Sequence, residues 1–380
     1  MHLRKSIMPR LRPMFARLRR PPLRLRVPAP RSNRHDPHRI EVELESDSLW
    51  FESSDTVPAP SIEALGCAFT IPAAASGKKL VFESAPDPVW LANARQAQAV
   101  AARWWGYSSP GLIASRKRPL PAPTPASRQT ALCFTGGVDS FYTLLRGDPR
   151  VDRLLFVLGY DIELTDWRRA QATEASVRQV AAELGIQVDL VRTNLRSHKD
   201  FRPICWQQTH GGALAAIGHL LSDHVNQLLI SSSYPFAFNR PYGSHWELDL
   251  FWSSSRLAIT HTGAQKWRAE KLAALIHEPL VRQHLRVCWE NRSPTGNCGE
   301  CEKCLRTMLV LDGHGCLDQF PVFPGASMLA ANLERLGPLK NDLIRVYAGF
   351  LEMDLSARVR PALAALVDRS TRHANGTSQH

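Results

Sequence analysis

The sequence lacks any long run of apolar residues, and none approaches the roughly 18 to 20 that a membrane-spanning helix needs. The most apolar stretch, residues 211–221, is interrupted by His219. The N-terminal segment also lacks the apolar core, about 7 to 15 residues long, of a secretory signal. The composition, 44% hydrophobic and 22% charged, excludes a wholly disordered or fibrous chain. We therefore expect a soluble protein with no membrane partner, long enough for two domains.

Acidic residues are almost missing from the first 40 positions, which hold 12 Lys and Arg against Asp36 alone. The net charge of +12 belongs to this segment, because the other 340 residues carry 35 basic and 34 acidic side chains. Pro- and Arg-rich sequence without apolar periodicity predicts a disordered tail over residues 1–37. Such a tail could attract phosphate backbones or an anionic surface, but a leader or an over-long start is the simpler interpretation.

Alternating strand and helix patterns divide the rest of the chain. Residues 38–107 predict a small α+β domain, which could form a partner or homodimer contact, and five prolines in residues 108–129 mark a linker. Within residues 130–312, four β runs separated by helices predict an α/β domain. We expect its doubly wound parallel sheet to bind ligands at the carboxyl ends of the strands. The pattern of residues 313–380 predicts helices.

The sequence has neither a Walker loop nor a G-x-G-x-x-G motif, yet the first strand of that domain runs into a glycine pair and a helix. Two glycines allow a tight turn close to a phosphate, and the free N–H groups of the following helix point there. The hydroxyls and carboxylate of this loop could contact the phosphates of ATP and hold Mg²⁺ or orient a nucleophile. An ordinary turn with an aspartate cap is the alternative. The candidate residues are Thr135, Gly136, Gly137, Val138, Asp139 and Ser140.

Cysteines are few outside one cluster, because four of the eight fall between positions 288 and 304. Cys288, Cys298, Cys301 and Cys304 place three sulfurs on one turn and bring the fourth through a nine-residue loop, which suits a tetrahedral Zn²⁺ ion. An iron–sulfur cluster is the alternative, although no Cys-Pro occurs. Clustered cysteines argue against a disulfide framework and for a reducing compartment, so we expect a cytoplasmic protein.

The loop and the cysteines together are similar to a known family. The segment 134–140 resembles the Ser-Gly-Gly-x-Asp-Ser loop of the PP-loop ATP pyrophosphatase (adenine nucleotide alpha hydrolase-like) superfamily, and the cysteine spacing resembles that of its 7-cyano-7-deazaguanine synthases. The resemblance covers residues 130–312. It implies a ligase that adenylates a carboxylate with ATP, releases pyrophosphate and admits ammonia or an amine. By that likeness Asp139 and Ser140 would be catalytic, and Arg268 would replace a lysine at a helix start.

Five further positions are candidate substrate or nucleotide contacts. Asp161 follows the second strand and would meet the nucleotide at the sheet edge. His210 opens a predicted helix, either as a ligand contact or as a cap. His245 and Asp249 lie in a loop beyond the fourth strand, either as a substrate site or as a polar turn. Arg306, just after the last cysteine, would neutralise a phosphate or carboxylate, or is an exposed helix charge.

The sequence leaves the acceptor open. The segment 240–253 does not match the substrate loop expected from the resemblance, so the substrate is a small carboxylate, a modified base, a protein or an RNA. One alternative function is a tRNA-modifying enzyme of the same superfamily, of thiolation or lysidine type, with the Arg-rich tail binding RNA. Another is a non-catalytic nucleotide-binding scaffold, although the intact glycines and Asp139 argue against a degenerate loop.

Overall fold

A computed structural model describes residues 24–114 and 129–377 of the chain. In chain order its strands are β1 (Arg24–Val27), β2 (Arg31–Ser32), β3 (Arg39–Leu44), β4 (Asp47–Ser53), β5 (Lys79–Phe82), β6 (Leu112–Ala114), β7 (Gln129–Cys133), β8 (Arg153–Leu158), β9 (Gln187–Thr193), β10 (Val225–Ser231) and β11 (Ala258–Thr262). Its α-helices are α1 (Ile62–Ala75), α2 (Pro88–Trp105), α3 (Val138–Arg146), α4 (Trp167–Leu184), α5 (Trp206–Leu220), α6 (Arg268–Ala273), α7 (Pro279–His284), α8 (Glu302–Gly313), α9 (Leu329–Arg335), α10 (Asn341–Phe350) and α11 (Val359–Thr377).

Eight of these strands form the central sheet, in the order β11-β10-β7-β8-β9-β4-β3-β2. The strands from β11 to β9 run parallel, whereas β4, β3 and β2 continue the sheet in antiparallel fashion. The parallel part has five strands where the sequence predicted four, because β11 was not expected. From β7 the chain moves outward to β8 and β9 and then returns to the other side of β7 for β10 and β11. The order therefore reverses beside β7.

Helices cover both faces of this sheet and create two hydrophobic cores. Buried residues of α1, α2 and α5 share one core with Leu228 and Ile230, and those of α3, α4 and the C-terminal helices share the other with Leu229. All six residues of β8 are buried, because a strand covered on both faces needs apolar side chains in both directions. The described residues thus form a mixed α/β structure with parallel strands. Within the same residues, no helix is both long and apolar enough to cross a bilayer.

The N-terminal region differs from the prediction. We expected disorder over residues 1–37, but β1 lies there and pairs in parallel with β5, which also pairs with β6 in a second sheet. We expected a separate domain over residues 38–107, but β4 pairs with β9 and α1 packs against α5. This happens because the apolar faces of these elements are covered only when they join the core on one side of the central sheet. Residues 1–23 and most of the predicted linker, residues 115–128, lie outside the described part of the chain.

Candidate functional site

The glycine pair forms a tight turn between β7 and α3. Gly136 has a φ of 73°, and a Cβ atom there would lie 3.1 Å from the backbone oxygen of His284, so both backbone and space favour glycine. The carbonyl of Gly136 accepts a hydrogen bond of 2.8 Å from the N–H of Arg286, which fixes the turn against the segment after α7. No side chain among the described residues caps the first turn of α3. Its N–H groups and the positive end of its dipole are therefore free to meet an anion.

The other predicted loop residues have different surroundings. Val138 is buried in the core, so only its backbone faces the turn. The Ser140 hydroxyl donates a hydrogen bond of 3.0 Å to the carbonyl of Gly137 and is buried. Thr135 is half-buried, and its Oγ1 would lie 3.6 Å from a Cβ at Gly137. Thr135 is thus the hydroxyl of this loop that is open to a ligand.

Asp139, in the first turn of α3, is buried and contacts two cations from α6. One carboxylate oxygen accepts from Arg268 and the other accepts from Nζ of Lys271 at 3.0 Å. Lys271 also donates to the carbonyl of Ser232, beyond the end of β10, at 2.6 Å. Burial alone would raise the pKa of Asp139, but the charges of Arg268 and Lys271 outweigh it and hold that pKa below its ordinary value. A Mg²⁺ ion at Asp139 would have to displace both cations.

Further cations surround this group. Lys303, on α8, lies near Arg268 and Asp139, and burial followed by the charge of Arg268 lowers its pKa to about 8. Arg286 is held beside the turn, and burial lowers its pKa although the nearby Asp161 carboxylate opposes this shift. Its Nε atom is buried without a hydrogen-bond partner in the described part of the structure. Basic groups from α6, α8 and the segment after α7 therefore converge on the uncapped start of α3.

The four clustered cysteines come together as predicted. Their Sγ atoms all lie within 4.8 Å of one another, and the Cys288–Cys301 and Cys298–Cys304 sulfur pairs are each 3.9 Å apart. Four Zn–S bonds of about 2.3 Å arranged as a tetrahedron place the sulfurs about 3.8 Å apart, so these residues fit a single ion. Hydrogen bonds from Cys301 and Cys304 lower the pKa of Cys288. The cluster could hold a metal such as zinc and is too compact to enclose several iron atoms.

Asn297 holds the cysteine loop in place. Its Oδ1 accepts from the N–H groups of Val287 and Cys288 at 2.8 and 3.1 Å, and its Nδ2 donates to the carbonyls of Leu285 and Val322 at 2.8 and 3.1 Å. The side chain is 2% exposed. The Asn297 amide therefore holds the segment between the glycine turn and Cys288 against the rest of the cysteine loop.

Two predicted residues have mainly structural surroundings. His245 is buried, its Nδ1 accepts from the N–H of Glu247 at 3.0 Å, and its Nε2 is 3.1 Å from Oδ1 of Asn239. Both ring nitrogens are thus occupied. Arg306 pairs with Glu302 one turn earlier on α8, with 3.2 Å between Nε and Oε1. Neither side chain contacts Asp139 through a hydrogen bond in the described structure.

His210 lies in the second turn of α5 rather than at its start, because the helix begins four residues earlier. Its Nδ1 is 3.1 Å from the carbonyl of Trp206, its ring packs edge-on against Tyr242, and burial lowers its pKa. The glycine that follows allows close packing, since a Cβ at Gly211 would lie 2.1 Å from the carbonyl of Gly243. His210 consequently faces the loop after β10, at the carboxyl edge of the sheet.

Asp249 and Asp161 are also at this edge. Asp249 is fully buried, and its Oδ2 accepts from His261 Nδ1 at 2.8 Å and from Ser244 at 2.7 Å, whereas no hydrogen bond joins its side chain to that of His245 in the described structure. Asp161 is exposed, and its carbonyl accepts from Asn291 at 3.3 Å. Asp249 therefore belongs to a buried polar group, whereas the Asp161 carboxylate is open to solvent.

A cavity of about 320 Å³ lies beside the start of α5. Its lining includes Arg196, Arg202 and Trp206. The Arg196 guanidinium lies over the Trp206 ring, 4.7 Å from its centroid, and donates to the carbonyl of Tyr160 just beyond β8. The cavity is therefore at the same end of the sheet as the glycine turn, and its lining combines two arginines with the aromatic face of Trp206.

The sequence identified the glycine turn, Arg268 and the cysteines, but missed Lys271, Lys303, Arg286 and His261. Lys271 follows Arg268 by three residues, so both lie on one face of α6, and this helical spacing was the available signal. Lys303 and Arg286 carry no motif of their own. His261 lies on β11, which the sequence analysis did not predict as a strand.

The geometry defines a mixed α/β protein with a candidate metal centre beside a cation-lined turn at the edge of a parallel sheet. No protein-family model, curated protein or solved structure matches the chain.

Proposed function

We propose that the protein is an ATP-dependent ligase that adenylates a carboxylate and transfers the acyl group to ammonia or an amine, in the manner of 7-cyano-7-deazaguanine synthases. The observation that carries this proposal is the uncapped start of α3, faced by Arg268, Lys271 and Lys303. Helix N-termini and fixed cations together suit a polyphosphate. The reversal of strand order beside β7 supports a nucleotide there, because doubly wound sheets bind ligands at such a point.

The first chemical step is the activation of the carboxylate. One of its oxygens attacks the α-phosphorus of ATP, the bond from that phosphorus to the bridging oxygen breaks, and pyrophosphate leaves with its electrons. Arg268 and Lys271 neutralise the charge that grows on the leaving group, and the N–H groups of α3 donate to it. Bound Mg²⁺ would supply further charge neutralisation. Asp139 holds the two α6 cations in place rather than contacting the phosphate.

The second step forms the C–N bond. The negative charge of a carboxylate repels an incoming nucleophile. Adenylation removes that charge from the acyl group and attaches AMP as a good leaving group. The cavity beside α5 suits a flat carboxylate acceptor, since Arg196 and Arg202 complement the charge of the carboxylate and Trp206 offers an aromatic face for stacking. Zinc at the four cysteines would fix the start of α8 and thereby the position of Lys303.

An RNA acceptor is the second candidate, because aromatic and basic side chains lie together near the cysteine loop. Trp167 and Trp289 are each 62% exposed, and the Arg168 guanidinium lies 5.3 Å from the Trp167 ring centroid. Exposed aromatic rings beside arginines can stack on unpaired bases. A tRNA fraction therefore belongs among the acceptors to be tested.

The experiment is pyrophosphate release from ATP by the full-length chain, with 7-carboxy-7-deazaguanine and ammonium as substrates, alongside elemental analysis. Lys271→Met should lower the rate by about 10² to 10³, as loss of one fixed donor to a developing charge does. Lys266→Met, an exposed lysine just before α6, is the matched control and should leave the rate unchanged. We expect one zinc per chain.

The outcomes distinguish the acceptor, a purely nucleotide-binding role and failure of the proposal. Pyrophosphate release stimulated by tRNA but not by the deazaguanine acid would replace the small acceptor with RNA. ATP binding without turnover under any acceptor would make the protein a nucleotide-binding scaffold. Absence of ATP binding, or iron in place of zinc, would refute the proposal.

A further inference from the structure

A buried carboxylate–imidazole pair lies at the end of β11. Asp249 is 0% exposed and comes from the short 3₁₀ helix Asp249–Trp252 in the connection between β10 and β11. Its Oδ2 is 2.8 Å from Nδ1 of His261 and also accepts from the Ser244 hydroxyl at 2.7 Å. Because a carboxylate can only accept hydrogen bonds, Nδ1 of His261 carries a proton and donates it.

This hydrogen bond determines whether the other ring nitrogen, Nε2, carries a proton. With Nδ1 protonated, the neutral ring presents a lone pair at Nε2. That Nε2 atom is buried and has no hydrogen-bond partner in the described structure, and the His261 side chain is only 4% exposed. A buried acceptor left without a donor costs about 1 to 3 kcal/mol, so a bound molecule that donates to Nε2 would be stabilised by this atom.

The pair lies near the phosphate-binding turn. His261 pairs with Ile230 of β10, and the preceding residue Leu229 pairs with Leu132 of β7, one residue before that strand ends. Two residues after His261, a Cβ at Gly263 would lie 3.6 Å from Nζ of Lys271. Strands are about 4.8 Å apart, so β11 and β7 are separated by about 10 Å at this edge.

We propose that Nε2 of His261 receives the nitrogen nucleophile, ammonia or an amine, and accepts its proton during acyl transfer, with Asp249 as the positioning residue. This inference rests on the proposed function. The site is assigned to ammonia or an amine because a buried acceptor needs a donor, and the nucleophile of the proposed reaction carries N–H groups. The transfer role is assigned because an imidazole held by a carboxylate is built as a general base.

The step balances in atoms and charge. The nitrogen lone pair forms a bond to the acyl carbon, and one N–H proton moves to Nε2 of His261. The tetrahedral intermediate then collapses with cleavage of the bond between the acyl carbon and the AMP oxygen, and AMP leaves with that electron pair. The imidazolium that remains is stabilised by the Asp249 carboxylate and later returns its proton to water.

Four other polar groups lie around the His261 imidazole. Asp249 and His245 belong to the connection before β11, His210 faces it from α5, and Cys133 ends β7. Burial raises the pKa of the Cys133 thiol, with a further contribution from Asp249, and burial lowers the pKa values of His210 and His245. His261 is thus the imidazole of this group that is paired directly with a carboxylate.

The first test is NMR of the full-length protein labelled with ¹⁵N in its histidine rings. His261→Asn, whose amide can still donate to Asp249, identifies the His261 signals by their loss. We expect a ring protonated at Nδ1, with an Nε2 signal that shifts when ammonium chloride is added at pH 8 but not when sodium chloride is added at equal ionic strength. A ring that carries its proton on Nε2, or an Nε2 signal that ignores ammonium, would overturn the inference.

The second test separates the two chemical steps. His261→Asn should leave ATP–pyrophosphate exchange unchanged and lower amide formation by about 10² to 10⁴, the usual contribution of a general base. His224→Asn, an exposed histidine at the opposite end of β10, is the control. Equal amide formation in His261→Asn and wild type would refute the role. Absence of exchange in the wild type would refute the ligase instead, and the ammonium titration would still decide whether His261 binds the nitrogen base.

Discussion

Replacing Asn297 by alanine should destabilise the cysteine loop strongly. The side chain makes four hydrogen bonds, to two N–H groups and two carbonyls of the loop and its surroundings, and it is 2% exposed. At about 0.5 to 1.5 kcal/mol for each bond, the loss is about 4 kcal/mol, because water cannot replace an amide at a buried position. This is a large part of the roughly 5 to 15 kcal/mol that stabilises a domain. The carbonyls and N–H groups left unpaired lie next to Cys288, so metal retention should fall as well.

Urea denaturation measures the loss of stability, and transfer of zinc to a chromogenic chelator measures metal retention. Asn226→Ala, an exposed asparagine of β10, is the matched control and should behave as the wild type in both assays. An Asn297→Ala protein with wild-type urea resistance and wild-type zinc release would show that the amide does not hold the loop. Loss of stability without faster zinc release would separate its packing role from its effect on the metal.

Two further predictions concern buried charge. Asp189→Asn would leave Arg153, 7% exposed and 2.5 Å from the Asp189 carboxylate, without its counter-charge and should cost about 3 to 5 kcal/mol in urea denaturation. The double variant Arg153→Met/Asp189→Leu should recover most of that loss, and a single variant as stable as wild type would contradict the reasoning. Burial lowers the pKa of His245 to about 4 from 6.5. As the pH falls, the His245 imidazole is therefore protonated in the unfolded chain before it is protonated in the folded one. The free energy of unfolding should decrease between pH 6.5 and 4 by up to about 3 kcal/mol. His245→Gln should reduce this acid sensitivity and His224→Gln should not, as urea midpoints at pH 7 and pH 5 would show; equal slopes in both variants would refute the assignment.

Local signals predicted much of the fold. The apolar run of β8 and the Asp87-Pro88 pair at the start of α2 are signals of this kind, because a strand buried on both faces and a capped helix each leave a pattern in adjacent residues. The helix α1 was missed because it is buried on nearly every side, so its sequence has no polar face to reveal the helical period. The strand β11 was missed because only Ala258 and Ile259 of its five residues are apolar, so it has neither an apolar run nor a clear alternation.

The candidate site was predictable where its chemistry is local. The glycine turn and the four cysteines each fall within a short segment, and the cysteine prediction is confirmed as a cluster that could hold a metal. Lys271 lies 132 residues from the Asp139 that it contacts, so only the folded chain brings them together. The pairing of Asp249 with His261 rather than with His245 depends in the same way on a strand that local pattern did not reveal.

The junction of β4 with β9 makes the two halves of the chain interdependent rather than modular. A version that began at residue 129 would retain the glycine turn, the cations and the cysteines. It would also expose the hydrogen-bonding edge of β9 and the face of α5 that α1 covers. Bare edges and apolar faces of this kind recruit other chains, so the shortened protein would aggregate before its chemistry could be assayed. The N-terminal third is therefore a part of the scaffold that the α/β core of this protein cannot lose.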